Sequence, residues 1–585
     1  MIRKFLSLLL VPLLLLSLLS GCGTQELTDT SDVPLSAQVS TAETETALAE
    51  TTAEETENTF DTLGLTWQSS AGLHPYTCTS VTNQTILSLL YEGLFLVTDS
   101  FEAEPLLCES FAVSEDGTAW QFTLREDVTF TDGTALTAAD VTASLLAAKA
   151  SPLYAVRFRD VTSVTADGSQ SVVIRLSSSY ENLPLLLDVP IVKASTLSSE
   201  VPVGTGPYAF SGAGTASTLV RNHSWWQQTT PVVDAETLNL VVAEDSAAVR
   251  DAFEFGGADL VYTDPLSSSA SQYHCDYELW SCPTTVMQYI GFNQNSDYCY
   301  SAALRSGITY IVDRDTLIAQ IYDGFGLSAT LPCSPLSPIY DSALASSYAY
   351  NPGAFQACVQ SSGITPSSSN PIQLIVNSSS PKRVDAAEYI AAAMNELSVY
   401  TEVVALDAEA FQAALQSGEY DMYLGEIRLP TDFDLSAFFA SDGSASFGGN
   451  ADGSALQLCA SALENSGNYY DLHRTVMNRG LICPILFKVN ALYATRGVVA
   501  SHSPSVSNLF LSSTGRTLDE AKSGDAFAAT TETQPETDKE TDSETTTAAG
   551  SGGPTTEETG AVGGGETTAA ETAPDGGNTG ITPIG

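Results

Sequence analysis

The stretch Phe130-Thr131-Asp132-Gly133-Thr134-Ala135-Leu136-Thr137-Ala138-Ala139-Asp140-Val141 runs from a strand through a turn into a helix. Val128-Thr129-Phe130 reads as the strand and Asp132-Gly133 as the turn, where glycine supplies a positive φ at no steric cost. Thr137 is a suitable N-cap with Asp140 at the third helical position, which predicts a capping box opening an alanine-rich helix to about Lys149. The same alternation recurs on both sides. Leu63–Trp67, Trp120–Leu124, Ser171–Leu176, Leu238–Ala243, Ala258–Tyr262, Ile372–Val376, Glu402–Ala405 and Met422–Glu426 read as strands. Val81–Tyr91, Ser246–Phe253, Ala303–Ile311, Asp315–Ile321, Val384–Leu397 and Ala408–Leu415 read as helices. Interleaved strands and helices over this length predict two α/β lobes instead of a repeat array.

The chain has 585 residues and a net charge of −48, from 70 acidic and 22 basic side chains. That balance supplies no basic footprint for nucleic acid and none for docking on anionic lipid by charge. Yet 43% of the residues are hydrophobic, so a large core coexists with acidic segments. Residues 23–59 carry −9 and residues 527–585 carry −10, whereas 60–526 carry −31 and hold all five Trp and all 23 Tyr. The two flanking segments are rich in Thr, Glu, Ala and Gly. They cannot bury enough apolar area to offset the entropy of ordering, and are expected to be disordered tethers.

Residues 1–22 read as an address. A short basic start, Arg3 and Lys4, precedes the Leu-rich run Phe5–Leu19, which is too short to span a bilayer comfortably. The run ends in Leu19-Ser20-Gly21-Cys22, which resembles a bacterial lipobox, so Cys22 is the expected lipidation site. An ordinary secretory signal with an incidental Cys is the alternative. Beyond it lie nine cysteines, an odd number in scattered positions, read mostly as small buried hydrophobes. No C-x2-C pair occurs and the chain has five His, so neither a metal site nor a cofactor is expected.

Several ordered phrases carry a family resemblance. They are Leu89-Leu90-Tyr91-Glu92-Gly93-Leu94, Ser114-Glu115-Asp116-Gly117-Thr118, the 130–141 stretch, Pro202-Val203-Gly204-Thr205-Gly206-Pro207-Tyr208, and Arg221-Asn222 with Trp225-Trp226. Together, over about residues 60–510, they resemble the peptide- and nickel-type extracellular solute-binding proteins of ABC importers (cluster C). The resemblance implies an α/β, two-lobe periplasmic-binding-protein-like fold with a hinge and an additional cluster C subdomain. Lobe I would comprise 60–99, 201–290 and 481–526, the extra subdomain 100–200, and lobe II 291–480. The hinge would be crossed near Gly291-Phe292-Asn293 and Phe487-Lys488-Val489-Asn490. Gly204 and Gly206 lack the Lys-Ser/Thr of a phosphate loop and are read as a tight crossing where backbones approach closely.

The resemblance also implies a binding protein, not an enzyme, that delivers peptides to a membrane permease and its ATPase subunits. It would act as a lipid-anchored monomer on the outer face of the cytoplasmic membrane. In peptide binders of this family an Asp pairs with the ligand ammonium. Asp432 in Pro430-Thr431-Asp432-Phe433-Asp434-Leu435 matches that motif best, with Asp434 as the substitute, although Leu435 stands where the motif has Pro. Arg428 could meet a ligand carboxylate bidentately or pair with a nearby acid. Trp67, Tyr76, Tyr91 and Trp225, with His74, Phe95 and Trp226, are aromatic candidates for the pocket wall or for the core. Alternatives are the same fold binding a sugar, haem or nickel chelate, a surface scaffold, and a hydrolase. Against the last, no GxSxG elbow or HExxH occurs.

Overall fold

The computed structural model describes residues 60–523, apart from 213–216, 228–232, 268–271, 500–504 and 511–514. Cys22, the 23–59 spacer and the 527–585 tail lie outside the described residues. Among the described residues no helix is long and apolar enough to cross a membrane.

Two long antiparallel strands, Glu278–Phe292 and Ile482–Ala494, organise the molecule. Their two ends belong to different halves of one sheet. Glu278 to Pro283 pair with Ala494 to Val489, where Ile482–Ala494 also pairs with Leu260–Thr263. That side continues through Phe60–Trp67, Ala235–Val242, Thr218–Arg221 and Tyr208–Ser211, and forms lobe I. Met287 to Gly291 pair with Phe487 to Ile482, where Glu278–Phe292 also pairs with Met422–Arg428. That side continues through Ile372–Asn377 and Thr401–Leu406, which run parallel, and forms lobe II.

The ladder shifts register between Pro283 and Met287 and again between Gln288 and Tyr289. Both shifts lie beside a proline, Pro283 opposite Val489 and Pro484 opposite Tyr289. Proline donates no ladder hydrogen bond, so a break is expected at each. The strands therefore change neighbours at 283–287 and 487–489. Gly291-Phe292-Asn293 lies at the far end of its strand, inside the lobe II sheet.

The additional subdomain is a four-stranded antiparallel sheet of Cys108–Val113, Ala119–Leu124, Ser171–Leu176 and Val161–Asp167. Helix Ala138–Ala150 begins with the expected capping box, Thr137 Oγ1 donating to Asp140 Oδ2 over 2.5 Å. Val128–Phe130 forms no strand and only an isolated bridge, Thr129 to Ala135, closes that turn. One core runs continuously from lobe I into this subdomain, and two more cover the faces of the lobe II sheet.

Three of the sequence phrases meet at Glu92. Its buried carboxylate accepts from Trp225 Nε1 (3.0 Å), Trp226 Nε1 (3.0 Å) and Thr205 Oγ1 (2.7 Å), and the Arg125 guanidinium lies 4.7 Å over the Trp226 ring. Alongside, a Cβ on Gly204 would lie 2.1 Å from the Leu90 carbonyl oxygen, and one on Gly206 2.4 Å from that of Leu89. The Gly-Thr-Gly phrase is glycine for close approach.

A second junction joins the subdomain to lobe II through the loop 430–436. Tyr180 donates its hydroxyl to Asp432, Arg159 pairs with Asp434 at 3.1 Å, and Thr431 Oγ1 donates to the Leu185 carbonyl over 2.5 Å. Phe433, at a positive φ of 60°, is wedged between Phe101 (4.9 Å) and Phe487 (5.4 Å). A bulky residue holds that backbone only where packing over-determines it.

Two outcomes follow from these junctions. Burial pushes Glu92 up from 4.5 to about 7, more than its hydrogen bonds pull it down. A carboxyl with a raised folded value stabilises below its unfolded pKa, and that contribution is lost as pH rises through about 7. Glu92→Gln should therefore gain on the wild type by roughly 3 kcal/mol between about pH 5 and pH 8 in chemical denaturation; a constant gap would contradict this. At the other junction, Tyr180→Phe should cost about 1–3 kcal/mol by stranding a buried carboxylate, and much less in an Asp432→Asn background. Equal losses in both backgrounds, read from denaturation midpoints, would show that the hydroxyl does not act through Asp432.

Candidate functional site

In open α/β sheets the crevice for a ligand lies beyond the carboxyl ends of parallel strands. In lobe II that edge is reached by Met422–Arg428, which ends in Glu426, Ile427 and Arg428. In lobe I it is reached by Leu260–Thr263, which is followed by Asp264. The two edges face each other where the long strands change neighbours.

Lys488 sits at that point, 7% exposed. It pairs with Asp264 of lobe I and, at 3.6 Å, with Glu426 of lobe II. Gln288 Nε2 donates to the same Glu426 over 2.9 Å, and Gln288 Oε1 accepts from the Tyr322 hydroxyl over 2.5 Å. Asn490 Nδ2 donates to the Tyr262 hydroxyl over 2.9 Å. A buried lysine needs such partners, since an unpaired buried charge is costly.

Arg428 differs from it. Its side chain is open to solvent, yet burial lowers its pKa, and its titratable neighbours come from three segments: Tyr262 and Asp264 of lobe I, Arg157 of the subdomain and Glu426 of its own strand. A group both accessible and desolvated lines a crevice, not a convex surface. Arg157 is neutralised by Asp188 and lies 5.3 Å from the Tyr154 ring centroid. The Arg428 guanidinium makes no hydrogen bond or ion pair with any described residue. It carries a planar fork of donors suited to a carboxylate.

The other sequence candidates stand elsewhere. Trp67 is buried at the end of its strand, 6.5 Å from the Phe210 ring. Tyr76 donates to the Pro190 carbonyl (2.6 Å) and Tyr91 to those of Leu73 (3.2 Å) and Pro202 (3.1 Å). Trp225 is committed to Glu92. Asp432 is 1% exposed beneath Tyr180, and Asp434 also accepts from Ser436 N (3.0 Å) and Oγ (2.6 Å). Burial, then the neighbouring Asp434, raises the Asp432 carboxyl. Of the seven candidates, Arg428 is the one with its polar group directed at open space. Tyr262, Asp264, Arg157 and Tyr154 join it there. No local motif marks them, because their grouping depends on the folding of three separate segments.

A model of the bacterial extracellular solute-binding proteins, family 5 Middle, matches residues 102–448. The glutathione-binding protein GsiB of Escherichia coli O1:K1 / APEC is 26% identical over 273 residues, covering 44% of this chain and 53% of that protein. The chain thus spans about half the length of the curated relatives it matches. Among solved structures, the ABC transporter substrate-binding protein CtaP of Listeria monocytogenes superposes with a TM-score of 0.64 at 19% identity, covering 78% of this chain and 100% of that one. NikA of Brucella suis, in complex with Fe(III)-EDTA, gives a TM-score of 0.61 at 20% identity over 77% and 98%. The chain belongs to the family 5 bacterial extracellular solute-binding proteins.

Proposed function

We propose that this protein is the solute-binding component of an ABC importer. It holds a peptide in the crevice between its lobes and passes it to a permease with its ATPase subunits. Lipid on Cys22 would anchor it outside the cytoplasmic membrane, with 23–59 as the spacer. The family supports the binding role, and one observation supports a carboxylate-bearing ligand: the Arg428 guanidinium is open, desolvated and without a partner among the described residues, in a chain of 70 acids. Its charge is left for a ligand carboxylate, the group every free peptide carries at one end. Asp432 and Asp434 then act by setting the distance between subdomain and lobe II, and Trp67, Tyr76, Tyr91 and Trp225 by holding the core of lobe I and its junctions.

Native mass spectrometry of the protein as purified should reveal a bound peptide. A ligand with no carboxylate would overturn the anchoring role, and a carboxylate-bearing chelate would keep the anchor while replacing the peptide. Arg428→Gln should weaken binding of the identified ligand about 10- to 100-fold, the worth of a charged hydrogen-bond pair, with the melting temperature of the ligand-free protein unchanged. Unchanged affinity, measured by titration calorimetry, would remove Arg428 from the site.

A further inference from the structure

Arg428 pairs in register with Val286, whereas the other end of the same strand pair, Met422 with Phe292, lies at the opposite end of the lobe II sheet. There a cleft of about 340 Å³ opens between Asn293 and Asn295, the end of helix Ala408–Ser417 with Gly418, and Gly448-Gly449. That volume is near the lower end of the range for small-molecule pockets. Asn293 ties the walls together. Its Nδ2 donates to the carbonyls of Gly418 (2.8 Å) and Tyr420 (3.0 Å), and its Oδ1 accepts from Asn295 N (3.0 Å). The next residue, Gln294, donates its N–H to the Gly448 carbonyl over 2.7 Å. Gly448 and Gly449 hold φ of 60° and 78°. A Cβ on the first would lie 2.6 Å from Asn293 Cα, and one on the second 2.8 Å from Asn295 Nδ2. Bare backbone therefore forms that wall.

The walls keep several polar groups unpaired. The exposed carboxamides of Asn295 and Gln416 make no hydrogen bond with any described residue. Nor do the N–H groups of Gly448 and Gly449, or the carbonyls of Gln416 and Ser417 at the helix end. No charged side chain lines the cleft. Helix-end carbonyls alone would draw a cation, and free N–H groups alone an anion. Both kinds in one uncharged cleft, beside two carboxamides, match a ligand whose groups donate and accept at once, as hydroxyls do. A second observation comes from Tyr420, which is 4% exposed. Its hydroxyl is closed off from solvent and has no partner among the described residues. A Cβ on Gly448 would lie 2.8 Å from it, so that glycine stands between the hydroxyl and the cleft. Buried hydroxyls in native folds are nearly always paired, so this one marks a floor short of a partner.

We propose that this cleft is a subsite for a neutral sugar, separate from the crevice between the lobes, with Asn295 and Gln416 as the side chains that read it. The sugar is either a free ring or the end of a glycan chain, and two probes separate these sources. N-acetylglucosamine and its tetramer suit the cleft, because an acetamido group pairs with a carboxamide as hydroxyls do. Titrated calorimetrically on the full chain, at least one of them should bind the wild type. Binding of the tetramer alone marks a glycan, and equal binding of both marks a single free ring. In Asn295→Ala and in Gln416→Ala the affinity should fall about 3- to 10-fold each, the worth of a neutral hydrogen bond. The melting temperature without sugar should not move in either variant, since neither side chain has a partner to lose. Arg428→Gln should bind the sugar as the wild type does; loss of binding there would place the sugar in the crevice and overturn the separate site. Glucosamine, which is cationic at pH 6, should bind more weakly than N-acetylglucosamine. The reverse order would show that the helix-end carbonyls take a cation, and would overturn the neutral sugar. Binding of neither probe, or unchanged affinity in both alanine variants, would overturn the subsite.

Discussion

The ion cluster at Lys488 is the constraint on which the arrangement depends. Two strands serve both halves of one sheet, and two prolines break their ladder where they change neighbours. A broken ladder leaves that place short of backbone hydrogen bonds. Lys488 compensates with side chains, joining Asp264 of lobe I to Glu426 of lobe II across the break. Each partner is held in turn: Glu426 by Gln288, and Gln288 by Tyr322. The site at the crevice is built on these same strand ends. Arg428 is two residues past Glu426, so side chains on the same strand and the same edge have opposite fates, one acid locked into the hinge and one base left open.

Charge statistics make that contrast informative. With 70 acids against 22 bases, a surface arginine meets a carboxylate readily, as Arg159, Arg221, Arg474 and Arg479 do. Where no acid is near, buried guanidinium groups take backbone carbonyls instead. Arg314 donates to those of Ala329, Pro484, Thr309 and Val312, and Arg305 to those of Gly480, Cys299, Tyr300 and Arg479. The Arg428 guanidinium does neither with any described residue. Ions are screened over about 8 Å at physiological salt, so such local groups, and not the net charge, decide what the crevice accepts.

Local features were legible in the sequence and long-range ones were not. The Thr137–Asp140 box, the parallel strands of lobe II and helix Ala408–Ser417 follow from caps and periodicity, which act within a few residues. The family phrases were legible as phrases. Their physical reason, that Glu92 gathers Thr205, Trp225 and Trp226, needed the fold. The long strand Glu278–Phe292 was obscured by Pro283, Thr284, Thr285 and Gln288, a polar, proline-bearing run that sits where its ladder shifts register. Tyr180 and Asp432 stand 252 residues apart, beyond the reach of any pattern.

The brace between subdomain and lobe II bears on how the lobes part. Separating them uncovers Asp432 and Asp434 and frees Tyr180 and Arg159. Taken alone, breaking these contacts is expensive. But a buried carboxylate has already given up its hydration, and on opening it regains water. Buried ion pairs therefore come close to break-even against their solvated state. The brace can fix the geometry of the closed form without fixing its population. On the proposed function, what tips the balance toward closure is then a partner for the Arg428 guanidinium, which no described residue pairs. Under that proposal the partner is the ligand, so recognition rests on Arg428, and the acids of the 430–436 loop gauge how far the crevice closes.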